Sequence, residues 1–218
     1  MRIEQPVGKR GSLRWIQSLV QTHPRALNEQ LQRAGALPAA SELEWVSPLR
    51  QDAFAEYRDA DFLERIGHSQ LAKKMRDFWP NRGPQWDALA TEKSGRVYLF
   101  EAKAHAAEMA SSCQAGPASR QKIEKACAAA KQVLRVEPGS DWLAGYYQYA
   151  NRLAHLGFLR EHGVEAWLVF LYFTEDSEMA GPASEAEWRP FIDAAHRHLG
   201  LDEHVPWVAS VFQSVTAI

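Results

Sequence analysis

The sequence predicts an α/β domain, in which helices flank a mixed β-sheet, preceded by a helical extension. Five short apolar segments have the length of strands, longer segments between them have helical periodicity, and the period changes from helical to alternating near Trp86. The 218 residues and the hydrophobic fraction of 46% suffice for one buried core and exclude a mainly disordered protein. We expect residues 1–40 to form an N-terminal helical extension and residues 41–218 to form the main domain.

The first part of the chain is predicted to be mostly helical. Ser12–Gln32 has a helical pattern that is broken near His23–Pro24, because proline disrupts the interior of a helix. A short strand over Leu43–Val46 separates it from a second helix over Asp59–Phe78, whose apolar residues recur at helical spacing. This second helix ends before Pro80, since the residue before a proline disfavours helical geometry.

A β-hairpin is predicted next. Trp86–Ala90 and Arg96–Ala104 flank the turn-forming residues 91–95. Because side chains alternate along a strand, the odd-numbered residues from Val97 to Lys103 should share one face and the even-numbered residues from Tyr98 to Ala104 the other. Both sets contain apolar residues, which predicts a strand covered on both faces.

The remaining elements alternate between helices and strands. The predicted helices are Ser119–Leu134, Trp142–His162 and Glu185–His198, and the predicted strands are Val164–Phe173 and Val205–Val215. Gly163 is a natural C-cap for the second of these helices, because glycine adopts the left-handed conformation without steric cost.

The net charge and the cysteine content exclude several classes of protein. The net charge of −2 argues against a protein that holds nucleic acid mainly by bulk charge. Its two cysteines, Cys113 and Cys127, exclude a disulfide scaffold and a four-cysteine zinc site, and free thiols suit a reducing compartment. No secretory signal is visible, and the longest apolar stretch, Ala166–Phe173, is too short to span a bilayer. We therefore expect a soluble cytoplasmic protein without a membrane partner.

The hairpin carries the clearest chemical pattern. Asp87 and Glu101 lie seven residues before and after Ser94, so a turn centred on Ser94 sets the two carboxylates opposite each other. Opposed side chains have Cβ atoms about 5 Å apart, and two like charges at that distance destabilise a sheet unless positive charge lies between them. Lys103 supplies part of that charge, and a divalent cation would supply the rest. Two carboxylates at this separation offer oxygen ligands that suit Mg²⁺.

This pattern resembles the PD-(D/E)XK nuclease superfamily, also called restriction-endonuclease-like. The motif of that superfamily is an acid on one strand and Glu-x-Lys on its hairpin partner, matched here by Asp87, Glu101 and Lys103. One departure is that Trp86, not proline, precedes the first acid, while Pro84 lies three residues before it.

The resemblance implies a metal-dependent nuclease that hydrolyses phosphodiester bonds. Asp87, Glu101 and the carbonyl of Ala102 would hold Mg²⁺, with Mn²⁺ as a substitute, and Lys103 would orient or help to deprotonate the attacking water. Residues 41–218 would be the nuclease domain, built on a restriction-endonuclease-like core of order αβββαβ. The resemblance also implies a nucleic-acid partner, DNA, and a homodimer.

Further candidates lie outside the motif. Related folds place another acid on the first core helix, for which Glu64 is the first choice and Glu56 the second, although either could be a surface glutamate. His105 continues the face of Glu101 and Lys103, and could contact a phosphate or cap the end of the strand.

Two predicted helices carry candidates for substrate binding. Lys122 and Lys125 open the helix after the hairpin, where they could contact a nucleic-acid backbone or form a solvated face. The next long helix has a polar stripe that could face the site or form hydrogen bonds within the helix packing. The residues of this stripe are Gln148, Asn151, Arg152 and His155.

Three other interpretations of the chain remain open. Glu101 and Lys103 could form an ion pair on an exposed strand end, although the apolar residues 97–100 argue against a solvated strand. The same fold could belong to a catalytically inactive interaction or scaffold protein. A metal-dependent hydrolase of a small phosphorylated ligand is the third interpretation, which a pocket too narrow for a duplex would favour.

Overall fold

Seven α-helices and seven β-strands make up the fold in a computed structural model that describes residues 1–218. In chain order they are β1 (Arg2–Ile3), α1 (Gly11–Thr22), α2 (Asn28–Arg33), β2 (Glu44–Ser47), β3 (Glu56–Tyr57), α3 (Asp59–Arg65), α4 (Ala72–Phe78), β4 (Ala88–Thr91), β5 (Val97–Lys103), α5 (Pro117–Leu134), α6 (Tyr147–Glu161), β6 (Ala166–Thr174), α7 (Glu185–Leu199) and β7 (Val208–Ser214). Five strands form the main sheet, and β1 pairs with β3 as a separate antiparallel ribbon. The sequence does not predict this ribbon, because two-residue strands show no periodicity.

The main sheet is mixed, as predicted. Its strands lie in the order β2–β4–β5–β6–β7. The first three are antiparallel neighbours, whereas β6 and β7 run parallel to β5. The five predicted strands are all present with ends displaced by a few residues, so the α/β class is confirmed.

The β4–β5 hairpin has the predicted register. Residues Ala88–Thr91 pair with Val97–Phe100 in antiparallel order. Gly95, with a φ of +91°, supplies the left-handed conformation that the turn requires. Continued by one residue beyond β4, this register sets Asp87 opposite Glu101.

The two faces of β5 are covered by different helical layers. Val97 and Leu99 belong to the larger core, which includes residues of α3 to α7. Tyr98 and Phe100 belong to the smaller core, which includes residues of α1 and α2. All four side chains are buried, so the predicted covering of both faces is confirmed.

The helices α1 and α2, which lie within the residues 1–40 that the sequence predicts as an extension, pack against one face of the main sheet. Leu19 of α1 and Leu31 of α2 are fully buried in the smaller core. Gln30 also bonds the main chain of Phe212 in β7: Nε2 donates to the carbonyl (2.8 Å) and Oε1 accepts from the N–H (3.1 Å). Amphipathic periodicity identifies the apolar side of a helix but not the surface that it covers, which explains the difference.

Two predicted helices have different bounds. The helix predicted over Asp59–Phe78 is divided into α3 and α4, because Gly67 adopts a left-handed φ of +80° between them. The helix predicted from Trp142 begins only at Tyr147. Trp142 instead anchors the preceding loop, since it is buried and its Nε1 donates to the carbonyl of Leu199 at 2.9 Å.

Candidate functional site

A buried group of charged side chains lies at the end of β5 that is far from the hairpin turn. Glu101 and Lys103 project from one face of β5, and Lys103 Nζ is 2.5 Å from Glu101 Oε1. Arg152 of α6 lies 2.6 Å from the other carboxylate oxygen of Glu101. Glu101 is only 2% exposed. A carboxylate removed from water is thus held between two cations.

Asp87 reaches the same place from the neighbouring strand. Its Oδ2 accepts a 2.7 Å hydrogen bond from the backbone N–H of Ala102, which lies between Glu101 and Lys103. This is the one hydrogen bond that the carboxylate of Asp87 forms, and it leaves Oδ1 unbonded. Hairpin register and strand alternation therefore bring Asp87, Glu101 and Lys103 together, as the sequence predicts.

A third carboxylate, Glu56 of β3, completes the group. It is buried, and its Oε2 accepts hydrogen bonds from the side-chain amides of Gln5 (3.2 Å) and Gln85 (2.5 Å). The backbone carbonyl of Gln85 accepts a 2.7 Å bond from Arg152, which links Glu56 to the ion pairs. We call the following five side chains the charged cluster: Glu56, Asp87, Glu101, Lys103 and Arg152.

Two acids of the charged cluster resist ionisation. Burial, followed by the negative charges of Glu101 and Glu56, raises the pKa of Asp87 well above its usual value. Burial also raises the pKa of Glu56 to about 7, although the hydrogen bond from Gln85 and the charge of Arg152 act in the opposite direction. The positive charges of the cluster therefore offset the repulsion between its carboxylates only in part.

Glu101 and Lys103 are held in their charged forms. Burial disfavours the charge on Glu101, but Arg152 and Lys103 outweigh it and lower the pKa of Glu101. Burial also acts against the charge of Lys103, but Glu101 and Asp87 outweigh it and raise the pKa of Lys103. Buried ion pairs are weak evidence for stability, whereas clustered groups with perturbed pKa values are typical of functional sites.

Glu64 and His105 lie outside the charged cluster. Glu64 is exposed, because the opposite side of α3 faces the core, and it forms no ion pair. Glu56, the second choice, is the acid that contacts the cluster. His105 lies beyond the end of β5, with Nε2 3.3 Å from Glu108 Oε1.

Lys122 and Lys125 also lie outside the charged cluster, on the first half of α5. Lys122 Nζ donates a hydrogen bond to the backbone carbonyl of Arg76 in α4. Lys125 is exposed and forms no ion pair. These lysines would meet only a ligand that extends beyond the cluster.

The polar stripe of α6 divides into two parts. Gln148 Oε1 lies 3.4 Å from Lys103 Nζ, so Gln148 and Arg152 adjoin the charged cluster. Asn151 and His155 serve the packing instead: Asn151 Oδ1 accepts a bond from Arg152 (2.9 Å), and His155 Nδ1 is 2.8 Å from the Asn151 carbonyl. Every guanidinium nitrogen of Arg152 bonds a protein oxygen, which fits a positioning role better than the substrate-binding role predicted for it.

The ligand atoms of the charged cluster match a hydrated divalent cation in type. Asp87, Glu101 and the Ala102 carbonyl offer oxygen atoms, which Mg²⁺ prefers. One oxygen of Asp87 is free, whereas Glu101 would have to exchange a bond with Lys103 or Arg152. As the side chains stand, no group of three or more histidine, cysteine, aspartate or glutamate residues is arranged around a metal position.

Reasoning from the sequence missed Gln85 and ranked Glu56 behind Glu64. Glu56 comes to the cluster because its neighbour Tyr57 forms an antiparallel bridge with Trp86, the residue before Asp87, a contact between distant segments that local periodicity does not reveal. The sequence does contain a signal that Glu64 is exposed. The apolar residues of α3 mark the buried side of this helix, and Glu64 lies on the opposite side.

Comparisons of the chain with protein-family models, with curated proteins and with solved structures found no match. None of the helices has both the length and the apolar character needed to cross a membrane. The class of site therefore follows from geometry: a group of three acids and two bases, all buried except the half-buried Asp87, at one end of a mixed sheet in an α/β protein.

Proposed function

We propose that this protein is a metal-dependent nuclease that hydrolyses phosphodiester bonds in DNA. In this proposal Asp87 and Glu101 bind Mg²⁺ and Lys103 orients the attacking water. One observation carries the proposal: two strands bring an acid opposite the glutamate of a Glu-x-Lys segment, with the lysine 2.5 Å from that glutamate. Glu56 takes the place proposed for Glu64 as the further acid of the site.

The order of the strands supports the same proposal. The PD-(D/E)XK resemblance implies a core of order αβββαβ that contains a hairpin. Here β2, β4 and β5 would be the three strands, with α3 and α4 inserted after the first, and the helices α5 and α6 would lead to β6. Under this proposal α7 and β7 extend the core.

The charge of the cluster supports a bound cation. When all five groups are ionised, three negative charges face two positive ones, so a divalent cation would offset the repulsion among Asp87, Glu101 and Glu56. When bound, Mg²⁺ supplies Lewis acidity to a phosphodiester and to water. Mn²⁺ accepts the same oxygen ligands and would substitute.

Lys103 suits an orienting role better than the role of a base. Its ammonium lies 2.5 Å from Glu101 and 3.4 Å from Gln148, which fixes its direction. An ammonium donates hydrogen bonds and accepts none, so a paired Lys103 can hold a water or a phosphate oxygen but cannot take a proton. Its loss should therefore lower the cleavage rate more than the affinity for metal.

One observation favours a second candidate, a catalytically inactive interaction or scaffold protein with the same fold. Both oxygens of Glu101 are already bonded, one to Lys103 and the other to Arg152. That arrangement neutralises the charge of the Glu101 carboxylate and provides its hydrogen bonds without a metal. The two candidates differ in whether Asp87 is needed for metal binding.

The test is cleavage of plasmid DNA and of RNA with Mg²⁺ or Mn²⁺. Asp87→Asn should abolish cleavage, and Lys103→Gln should slow it by about 10²- to 10³-fold, the usual contribution of one preorganised hydrogen-bond donor. Glu64→Gln, an exposed acid on α3, is the matched control and should cleave at the parental rate. Calorimetric titration with Mn²⁺ should show binding that Asp87→Asn loses and Lys103→Gln retains.

Cleavage that survives Asp87→Asn would overturn the assignment of the site. No cleavage and no Mn²⁺ binding by the parent would favour the scaffold candidate. Mn²⁺ binding that needs Asp87, without cleavage of these substrates, would keep the metal site and exclude only the substrates tested.

A further inference from the structure

We infer that α4, the loop after it and the first half of α5 form a cationic surface that binds the phosphates of a nucleic-acid backbone. The inference rests on the proposed function, because it names the surface along which the substrate of the charged cluster would lie. We call it the α4–α5 surface, and its side chains are Lys74, Arg76, Arg82, Lys122 and Lys125.

The basic side chains of this surface lack carboxylate partners. Two other bases of the same segments are paired on their own helices: Lys73 with Asp77 (3.5 Å) and Arg120 with Glu124 (3.2 Å). Those two acids are the only ones within residues 72–83 and 117–126. Five positive charges thus remain available on a chain whose net charge is −2.

Hydrogen bonds join these segments into one surface. Lys122 Nζ donates to the backbone carbonyl of Arg76, which ties α5 to α4. The carboxylate of Asp59 accepts bonds from the backbone N–H groups of Arg82 (3.3 Å) and Gly83 (2.9 Å). The loop is therefore fixed through its backbone, and the side chain of Arg82 remains exposed.

The same loop leads directly into the charged cluster. Gln85, three residues after Arg82, bonds Arg152 through its carbonyl and Glu56 through its side-chain amide. Asp87 follows two residues later. A polymer of phosphodiesters that crosses the α4–α5 surface would thus be led toward the carboxylates.

The layout of the charges favours a polyanion over a small anion. The side chains of the α4–α5 surface are spread over two helices and a loop, and none of them is buried in a pocket. Repeated phosphates along a backbone match such a spread, and contacts of this kind position a nucleic acid without reading its sequence.

The test measures the affinity for a fluorescein-labelled DNA duplex of about 20 base pairs by fluorescence anisotropy. EDTA is present so that metal-dependent cleavage does not interfere. The α4–α5 variant carries both Lys74→Gln and Lys125→Gln. The control variant carries both Lys9→Gln and Lys93→Gln. The control lysines are exposed, lack ion pairs and lie in the N-terminal segment and the hairpin turn, so both variants remove two charges.

Each lost phosphate contact lowers the slope of log affinity against log salt by about 0.9. We expect the α4–α5 variant to bind about tenfold more weakly, with a slope smaller by about 2. The control should stay within about twofold of the parent. Because Gln and Lys have similar helix propensities, both variants should unfold at the parental temperature, which separates lost binding from misfolding.

The outcomes separate this inference from the proposed function. The inference would be overturned if both variants lost the same affinity for the duplex, or if the α4–α5 variant bound the duplex as tightly as the parent. If the parent cleaves DNA in that case, the proposed function still stands. If the parent neither binds the duplex nor cleaves DNA, the inference and the assignment of DNA as the substrate both fail.

Discussion

Glu101 is an ionised carboxylate almost fully removed from water. Desolvation costs several kcal/mol per ion, and the contacts with Lys103 and Arg152 offset that cost. Well-packed apolar residues of similar volume are often as stable as such a group or more so. The charged cluster is therefore better explained by chemistry at the site than by stability.

Glu101→Gln should destabilise the protein strongly. The substitution keeps the shape of the side chain but leaves Lys103 and Arg152 as buried cations without their shared counter-ion. We expect the free energy of unfolding to fall by about 3 kcal/mol, measured by urea denaturation at neutral pH. Glu64→Gln should change it by less than about 0.5 kcal/mol, and equally small effects of both substitutions would contradict the description of the cluster.

His155 is a titratable group enclosed by aromatic rings. Its imidazole packs edge-on against Trp79 and Phe78, with ring centroids 4.7 Å and 6.1 Å away. Burial lowers the pKa of His155 to about 3, from an ordinary value of 6.5. Between these two pH values the unfolded chain binds more protons at this position, so the contribution of His155 to stability is lost as the pH falls through the window.

His155→Gln should therefore lose stability less steeply on acidification than the parent. The difference in slope should reach at most about 1.4 kcal/mol per pH unit, measured from urea midpoints between about pH 6 and pH 4. The pKa of Glu56 is raised from 4.5 to about 7, so its contribution to stability changes with pH in the opposite direction. Comparing the parent with the variant isolates the contribution of His155. Parallel pH profiles of the two proteins would show that His155 is not buried in its neutral form.

The packing of α5 against α6 depends on a glycine. A Cβ on Gly157 would lie 2.9 Å from the Cβ of Ala130 and 3.0 Å from its Cα, closer than such atoms approach in proteins. The two helices therefore meet at this point with almost no side chain between them. Because Arg152 is also on α6, this contact helps to set its distance from Glu101.

Gly157→Ala should separate the two helices and destabilise the fold. Alanine gains up to about 1 kcal/mol in helix propensity, but overpacking against a helix backbone costs about 1–3 kcal/mol. We expect a net loss of about 1–2 kcal/mol in the free energy of unfolding, measured with urea. Gly139→Ala is the control, since a Cβ at that position meets nothing within 4 Å. A stabilising effect of Gly157→Ala would refute the close contact.

The elements differ in how far the sequence predicts them. The β4–β5 hairpin could be predicted with its register, because the turn at Gly95 and the alternation along β5 are local signals. The role of Glu56 could not be predicted, since β3 has only two residues and meets the segment of Asp87 through a bridge between the distant residues Tyr57 and Trp86. Gly67 weakens the predicted helix over Asp59–Phe78, but the sequence does not predict a division there, because the apolar spacing continues across the glycine.

The main sheet is covered on both faces, so the two helical layers depend on each other through it. Leu19 is fully buried in the smaller core, in a segment that the sequence presents as an appendage. A true appendage would unfold separately from the rest. A layer of the domain would unfold together with the sheet that it covers.

Leu19→Ala should lower the free energy of unfolding of the whole molecule by about 2–5 kcal/mol. Tryptophan fluorescence and far-ultraviolet circular dichroism should report the same urea midpoint, because small domains unfold cooperatively. Val7→Ala, at a side chain that is 69% exposed, should leave the midpoint unchanged. Two separate transitions would restore the view of residues 1–40 as an extension.

The hairpin turn 91–95 lies at the opposite end of β4 and β5 from the charged cluster. Lys93 in this turn is exposed, while both native thiols are buried. Lys93→Cys would thus create the most reactive thiol of the chain, at a position remote from the carboxylates. A biotin attached there would tether the protein to a chip or a bead with the charged cluster at the end of the hairpin far from the support.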